Sequence, residues 1–405
     1  MKILFVVPYV PSLVRVRPFN LIRQLSALGH EVMVLTTWAN EQEREEAEQL
    51  RDHCQSVRAA FLPRRRSLWN CLLALPTRMP MQAVYSWKSA LVKEFGREKW
   101  RPDVIHVEHL RGAHYGLALR SVTTNGARPV PVVWDSVDCI TRLFRQAASR
   151  SSTRFGRWLT RFELSRTARH EGWLINQFSR VLVTSTAEKT ALLSLLTALQ
   201  NWPAIAVLPN GVDLAYFGPK PASGRDRATV VMSGKMSYHV NATMVLHFVR
   251  AILPAIWASR PEVQLCVVGQ NPPREIRALA QDRRIAVVGT VRDMRPYLQR
   301  ATVAVSPLTY GAGIQNKVLE AMACGTPVVA SPQAVSALEV RPGEDVLVSR
   351  EPADFADTVL NLLGDPQQQQ RIGEAGRRFV ERHHRWDNIA ARLVGVYDEL
   401  VCVER

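Results

Sequence analysis

Apolar and polar positions along this chain switch between two periods. Residues 2–8 form a short apolar run ending at Pro8, the pattern of a buried strand. Phe19, Ile22, Leu25 and Leu28 then recur at helical spacing over residues 15–29, and Gly29 with His30 supplies the stop. A second apolar run occupies residues 31–36. Strand, helix and strand in such close succession predict a βαβ unit, and hence a parallel sheet.

Runs at 102–109, 132–136 and 181–185 predict further strands in the first half, and runs at 229–233, 263–269, 285–289, Val303–Ser306 and Val328–Ala330 a second set. Phe379, Trp386, Ile389, Leu393 and Tyr397 mark a long amphipathic helix near the end. The class is therefore α/β. A chain of 405 residues exceeds what one core usually serves, so two domains are expected.

Residues 301–331 carry the densest signal. After the strand ending at Ser306 comes a loop with Gly311 and Gly313, then a helix opening near Gln315 or Asn316. Val318, Leu319, Met322 and Ala323 line its apolar face, and Gly325 with Pro327 ends it. A helix start offers free N–H groups and a positive dipole end, and glycines before it let an anion approach the backbone. Lys317 lies in the first turn and Glu320 one turn later. This arrangement suits a nucleoside diphosphate, with the carboxylate accepting from ribose hydroxyls. An ordinary α/β turn with a solvated Lys and Glu has the same pattern.

Composition narrows the class. The apolar fraction of 47% supplies ample core material. Six cysteines stand scattered, without Cys-x-x-Cys or histidine partners at zinc spacing, which suits a reducing cytosol and argues against a disulfide framework or structural metal. The N-terminal apolar run is too short for a secretory leader, and no window approaches the roughly 18 apolar residues of a membrane span. Net charge is +16, and it is uneven. Residues 1–200 hold 29 Lys and Arg against 16 Asp and Glu, an excess of 13, and the rest an excess of 3. That excess points to an anionic partner for the first half, or to a general preference for arginine, since only 8 of the 52 basic residues are lysine.

Several polar features of the first half are candidates for chemistry. Residues 9–12 lack Gly-x-Gly-x-x-Gly, which argues against a dinucleotide there. Arg15 and Arg17 are candidate anion contacts or solvated helix-start arginines. Residues 41–52 read as a solvated helix face. Arg64, Arg65 and Arg66 precede Leu68, Trp69, Leu72 and Leu73, a combination that fits a membrane interface or a core-facing helix with a basic start. His106, Glu108 and His109 lie at the end of a strand, where open α/β sheets bind ligands. Asp135 and Asp138 suit acceptor hydroxyl binding or capping better than a metal site. Residues 142–169 hold eight arginines and one acid, Glu163. With Phe155, Trp158, Leu159 and Phe162 beside Arg150, Arg154, Arg157 and Arg161, they fit a membrane-surface helix, core aromatics with solvated arginines, or a nucleic-acid surface.

Residues 313–331, GIQNKVLEAMACGTPVVAS, resemble the nucleotide-sugar signature of the retaining family 4 (group 1) glycosyltransferases. That family has the GT-B fold, two Rossmann-like doubly wound parallel-sheet domains facing a central cleft. The second Glu of its signature matches Glu320, and Ala312 stands where the first Glu is usual. The resemblance implies that Gly313, Ile314, Gln315, Asn316 and Lys317 receive the diphosphate. It also matches Gly234 and Lys235 to the Gly-Arg-Leu stretch that holds phosphate, with Asn241 in place of a lysine. The loop at Arg292 would receive the nucleobase. In the first half the usual second histidine falls on Glu108, with His109 next, and one of them is the sugar-facing candidate.

The boundaries implied are residues 1–205 for an acceptor-binding domain, 206–380 for a nucleotide-sugar domain, and 381–405 for a helix crossing back to the first. Motif spacing around the phosphate loop is similar to that of sugar transferases from bacterial exopolysaccharide clusters. The function implied is metal-independent, retaining transfer from a nucleoside diphosphate sugar, a substrate rather than a cofactor, to a saccharide or polyprenyl-linked acceptor. Glu108 or His109, with Lys235 and Lys317, would carry the catalysis. The location implied is the cytosol or the inner face of the plasma membrane. An anionic membrane surface ranks above nucleic acid as a further partner, because the basic stretches carry apolar faces. The absent first Glu motivates a second reading, a GT-B binding module without transfer activity.

Overall fold

A computed structural model of the protein describes residues 1–12, 15–123, 129–148, 154–196, 205–219, 224–311 and 313–403. The chain divides into two compact units, Met1–Pro209 with Trp386–Arg405, and Asn210–Arg385.

In the first unit β1 (Lys2–Val7), β2 (Glu31–Trp38), β3 (Ser56–Phe61), β4 (Val104–Glu108), β5 (Val132–Val137), β6 (Arg180–Val183) and β7 (Ile205–Val207) form one sheet in the order β3-β2-β1-β4-β5-β6-β7. Every neighbouring pair is parallel. Helices cover both faces, so the strands read as continuous apolar runs rather than alternating ones. Ile3, Phe5 and Val7 pack on one side with Leu21, Ile22 and Leu25 and with Trp386, Ile389, Leu393 and Tyr397 of the Trp386–Val403 helix. Leu4 and Val6 pack on the other side with Leu110, Ala113 and Tyr115 of the His109–Thr123 helix. Each large side chain buried in this way contributes about 1.5–3 kcal/mol.

In the second unit β8 (Thr229–Ser233), β9 (Gln264–Val268), β10 (Ile285–Gly289), β11 (Val303–Ser306), β12 (Val328–Ala330) and β13 (Leu347–Val348) form a second parallel sheet, ordered β10-β9-β8-β11-β12-β13. The Asn316–Ala323 helix ends with Gly325 at φ +66°. Gly325 N–H donates to Met322 O and Thr326 N–H to Ala321 O, a glycine-dependent closure of the last turn.

Among the described residues, one helical stretch, His239–Ser259, is long and apolar enough to cross a membrane. This corrects the reading that no window approaches that length. Its Val240, Met244, Val245, Phe248, Ile252, Leu253 and Ile256 lie in the core of the second unit, and that packing accounts for the apolar composition.

Both strand orders reverse direction once along the sheet. The chain steps from β8 outward to β10 and returns beside β8 as β11; it steps from β1 outward to β3 and returns beside β1 as β4. Ligand sites of open parallel sheets form at such reversals, outside the carboxyl ends of the strands. These are the loops that carry the motifs.

Candidate functional site

At the β8/β11 reversal, the turn after β8 begins with Gly234 at φ +139°. A Cβ there would stand 2.9 Å from Asn241 Nδ2 and 3.3 Å from Lys317 Cε. Gly269, at the end of β9, presses against the same turn, since a Cβ on it would lie 1.7 Å from Gly234 O. Asn241 Nδ2 donates to Lys235 O at 3.0 Å. The residue that replaces the family's lysine thus braces the backbone of the turn. Lys235 itself is exposed, and its ammonium has no partner among the described residues.

Gly311 (φ +142°) and Gly313 (φ +72°) turn the chain from β11 into the Asn316–Ala323 helix. Gln333 Nε2 donates to Gly311 O and Gln315 Nε2 to Gly313 O, the latter at 3.3 Å. Ile314 is buried and anchors the loop. Among the described residues, the N–H groups of Gly313, Ile314, Asn316 and Lys317 make no hydrogen bond. Asn210 Nδ2 reaches Asn316 Oδ1 at 3.4 Å. Ala312 lies outside the described residues.

Lys317 Nζ donates to Gln315 Oε1 at 2.8 Å. Lys317 and Glu320 are both half-buried. Desolvation pulls the Lys317 ammonium down to about 8, against the attraction of Glu320. Desolvation likewise pushes the Glu320 carboxyl up to about 7, against the attraction of Lys317. The Glu320 carboxylate accepts no hydrogen bond among the described residues, so its two oxygens are available to a ligand. Arg292 stands apart, exposed on the loop after β10, where it lines a cavity of about 470 Å³ with Asp293, Tyr297 and Arg300. The structure brings Gly234, Lys317 and the helix start together, and it records no contact between them and Arg292.

At the β1/β4 reversal, Glu108 is 2% exposed and accepts from Tyr9 Oη at 3.0 Å. Burial, with Asp135 adding to it, pushes Glu108 up to about 8. His109 is the half-buried residue of the two and holds φ +65°, a conformation that costs a non-glycine residue of order 1–3 kcal/mol. Its Nδ1 accepts from Arg111 N–H at 3.3 Å, and its carbonyl accepts from Trp134 Nε1 at 3.4 Å. Desolvation, with Arg111 nearby, pulls the imidazole down to about 3, so it is neutral at physiological pH.

Residues 227–365 match the family model described as glycosyl transferases group 1, and residues 14–216 match glycosyltransferase family 4. The chain belongs to glycosyltransferase family 4. Glycogen synthase of Mycobacterium tuberculosis is 23% identical over 390 residues, covering 92% of this chain and 87% of that protein. The GDP-mannose-dependent monoacylated alpha-(1-6)-phosphatidylinositol monomannoside mannosyltransferase of Corynebacterium glutamicum is 27% identical over 223 residues, 49% of this chain and 58% of that one. In fold, the chain is similar to Anabaena HepE in complex with UDP and glucose, at a TM-score of 0.70 and 16% identity, covering 98% of this chain and 100% of the other.

Arg15, Arg17, His106, Asp135 and Asp138 of this glycosyltransferase make contacts within its own fold. Arg17 is not an anion contact at the surface. Its guanidinium pairs with Asp135 at 2.7 Å, both groups buried, and donates to Leu208 O and Pro209 O. Asp135 also faces His106 Nε2 at 3.5 Å, and His106 Nδ1 meets Tyr397 Oη at 2.8 Å. Arg15 pairs with Glu43 at 2.9 Å and stands over the Tyr9 ring. Asp138 accepts from Thr184 Oγ1 at 3.2 Å. Arg150 and the side chains of Arg154, Phe155, Arg157, Trp158 and Leu159 lie outside the described residues. Tyr9 and Gly269 escaped sequence reasoning. Only the glycine at the end of an apolar run could have announced the second.

Proposed function

We propose that this glycosyltransferase uses a nucleoside diphosphate sugar and binds its diphosphate between the turn after β8 and the start of the Asn316–Ala323 helix. The observation that carries the reading is the Lys317 side chain lying against Gly234, which puts a cation and unbonded N–H groups at one strand reversal. A diphosphate in a sugar nucleotide carries about two negative charges, and Lys235, Lys317 and the helix start offset them. Glu320 accepts from the ribose hydroxyls. As the bond from the sugar carbon to the diphosphate breaks, its electron pair passes to the phosphate oxygen, where the same cations stabilise it while an oxocarbenium-like centre develops. This electrostatic set performs the work of a divalent ion, so the reaction proceeds without one. Retention of configuration follows from the family resemblance.

In the first unit, His109 is the group proposed to meet a sugar hydroxyl, as a neutral imidazole. Buried Glu108 supports the turn through Tyr9. The acceptor class is a saccharide, free or lipid-linked, of a cell-surface or extracellular polysaccharide, made on the cytosolic side. The basic excess of the first unit supports an anionic acceptor. The names of the relatives make UDP and GDP the first nucleotides to try. The test is release of UDP or GDP from UDP-glucose and GDP-mannose by purified protein in chelator. Turnover that falls on the order of 100-fold in Lys317→Ala supports the reading. Turnover unchanged in both Lys317→Ala and Glu320→Ala would sink the assignment.

A further inference from the structure

The Arg64–Ala74 helix, which follows β3, is built inside out. Ser67, Asn70 and Ala74 are buried, whereas Leu68, Trp69, Leu72 and Leu73 are 59%, 59%, 54% and 63% exposed. Phe61 and Leu75 extend this apolar surface at either end. Of the two readings open at the sequence level, a core-facing apolar side is therefore excluded.

Buried polar contacts set the helix in this rotation. Asn70 Nδ2 donates to Trp87 O at 2.9 Å, and Arg166 donates to Ala74 O. Arg166 pairs with buried Glu163 at 3.0 Å, and Glu163 accepts from Met81 N–H at 2.8 Å. Turning the helix to hide its leucines would take the Asn70 amide and the Ala74 carbonyl away from these partners.

The charge placement is equally unusual. Arg64, Arg65 and Arg66 occupy the first turn, the end of a helix where cations are disfavoured. All three are exposed, and among the described residues none has an ion-pair partner. The chain carries no acid between Asp52 and Glu94, and Glu163 is already neutralised by Arg166. Beside the helix lies a cavity of about 660 Å³, lined by Arg65, Arg66, Lys88, Trp69 and Trp87.

We propose that this face docks on an anionic lipid bilayer. Leu68, Trp69, Leu72 and Leu73 enter the boundary between headgroups and acyl chains, and the cavity at Arg65, Arg66 and Lys88 receives a lipid phosphate. Exposed leucines with tryptophan beside unpaired arginines suit that boundary. A second copy of the chain suits it poorly, because residues 53–93 hold no acid, so a two-fold contact of this face would add cations and supply no carboxylate from this segment to pair them. The surface is distinct from the donor site, and its test does not depend on that site.

The test is flotation of the full chain with phosphatidylcholine vesicles, with and without phosphatidylglycerol, at low and high salt. Binding is expected only with phosphatidylglycerol and is expected to weaken with salt. Leu72→Gln with Leu73→Gln, and separately Arg65→Glu with Arg66→Glu, should each lower the partition coefficient on the order of tenfold or more. These side chains point outward, so the variants should keep the wild-type melting temperature and nucleotide affinity. No flotation with anionic vesicles at low salt overturns the proposal. So does flotation indifferent to both double variants. A chain that sediments as a dimer and becomes monomeric in Leu72→Gln/Leu73→Gln also overturns it, assigning the face to a second copy.

Discussion

Gly234 and Lys317 are in contact: the Lys317 Cε stands 3.3 Å from where a Gly234 side chain would begin. The contact exists because β8 and β11 are neighbours in the sheet although distant in sequence. It makes Gly234 a residue that keeps the site open as well as one that turns the chain.

Gly234→Ala should therefore damage binding more than folding. Its φ of +139° is strained for an L side chain, at about 1–3 kcal/mol, and the new methyl displaces Lys317 or Asn241. Nucleotide affinity is expected to fall at least about tenfold while the circular dichroism spectrum is retained, a pair of results that titration calorimetry and melting curves check together.

Donor affinity should depend on pH with two limbs. Lys317 loses its charge as pH rises through about 8, and Glu320 loses its charge as pH falls through about 7. Affinity for a sugar nucleotide, which does not itself titrate in this range, should be highest between these values. Lys317→Arg keeps its charge at all these pH values, so the upper limb should disappear. Affinity measured across the range reads both effects directly.

The buried pair of Arg17 and Asp135 is structural. Burial alone would raise Asp135, yet Arg17 and His106 hold its carboxyl below the usual range. Asp135→Ala leaves the Arg17 charge buried without its partner and should cost about 3–5 kcal/mol in urea unfolding. Lys317→Ala should leave the same unfolding curve nearly unmoved.

Glu108 predicts a stability that falls with pH. The folded protein keeps this proton up to about pH 8, whereas the ordinary value is 4.5. The stabilisation is thus complete below about 4.5 and is lost as pH rises through about 8. Glu108→Gln retains the oxygen that accepts from Tyr9 and never ionises. Relative to wild type, it should gain up to about 5 kcal/mol between acidic and alkaline conditions, read by denaturant melts at both ends.

Much of this was legible in the residues, and the remainder was not for a common reason. The βαβ start, the glycine loop before Asn316 and the helix stop at Gly325 follow from local rules of period, turn and cap. Periodicity also groups Leu68, Trp69, Leu72 and Leu73 on one face, but it carries no information on whether that face meets core or solvent. That depended on contacts of Asn70 with Trp87 and of Ala74 with Arg166, two partners that lie outside this helix. Arg17 reads from the sequence as an anion contact or a solvated helix-start residue, because its partner Asp135 is on β5. Glu108 and His109 are adjacent, and only the positive φ of His109 separates a buried group from an accessible one. Asn241 looked like a lost cation, yet in the fold it braces Lys235 O.

The proposed donor site at the β8/β11 reversal stands on Lys317 and Glu320. Titration calorimetry of UDP and GDP into wild-type protein, Lys317→Ala and Glu320→Ala, in chelator, tests it most directly. Binding of one nucleotide by the wild type is expected, weakened on the order of tenfold or more in each variant without a change in melting temperature. Equal affinity in all three proteins, or no heat with either nucleotide, would contradict it.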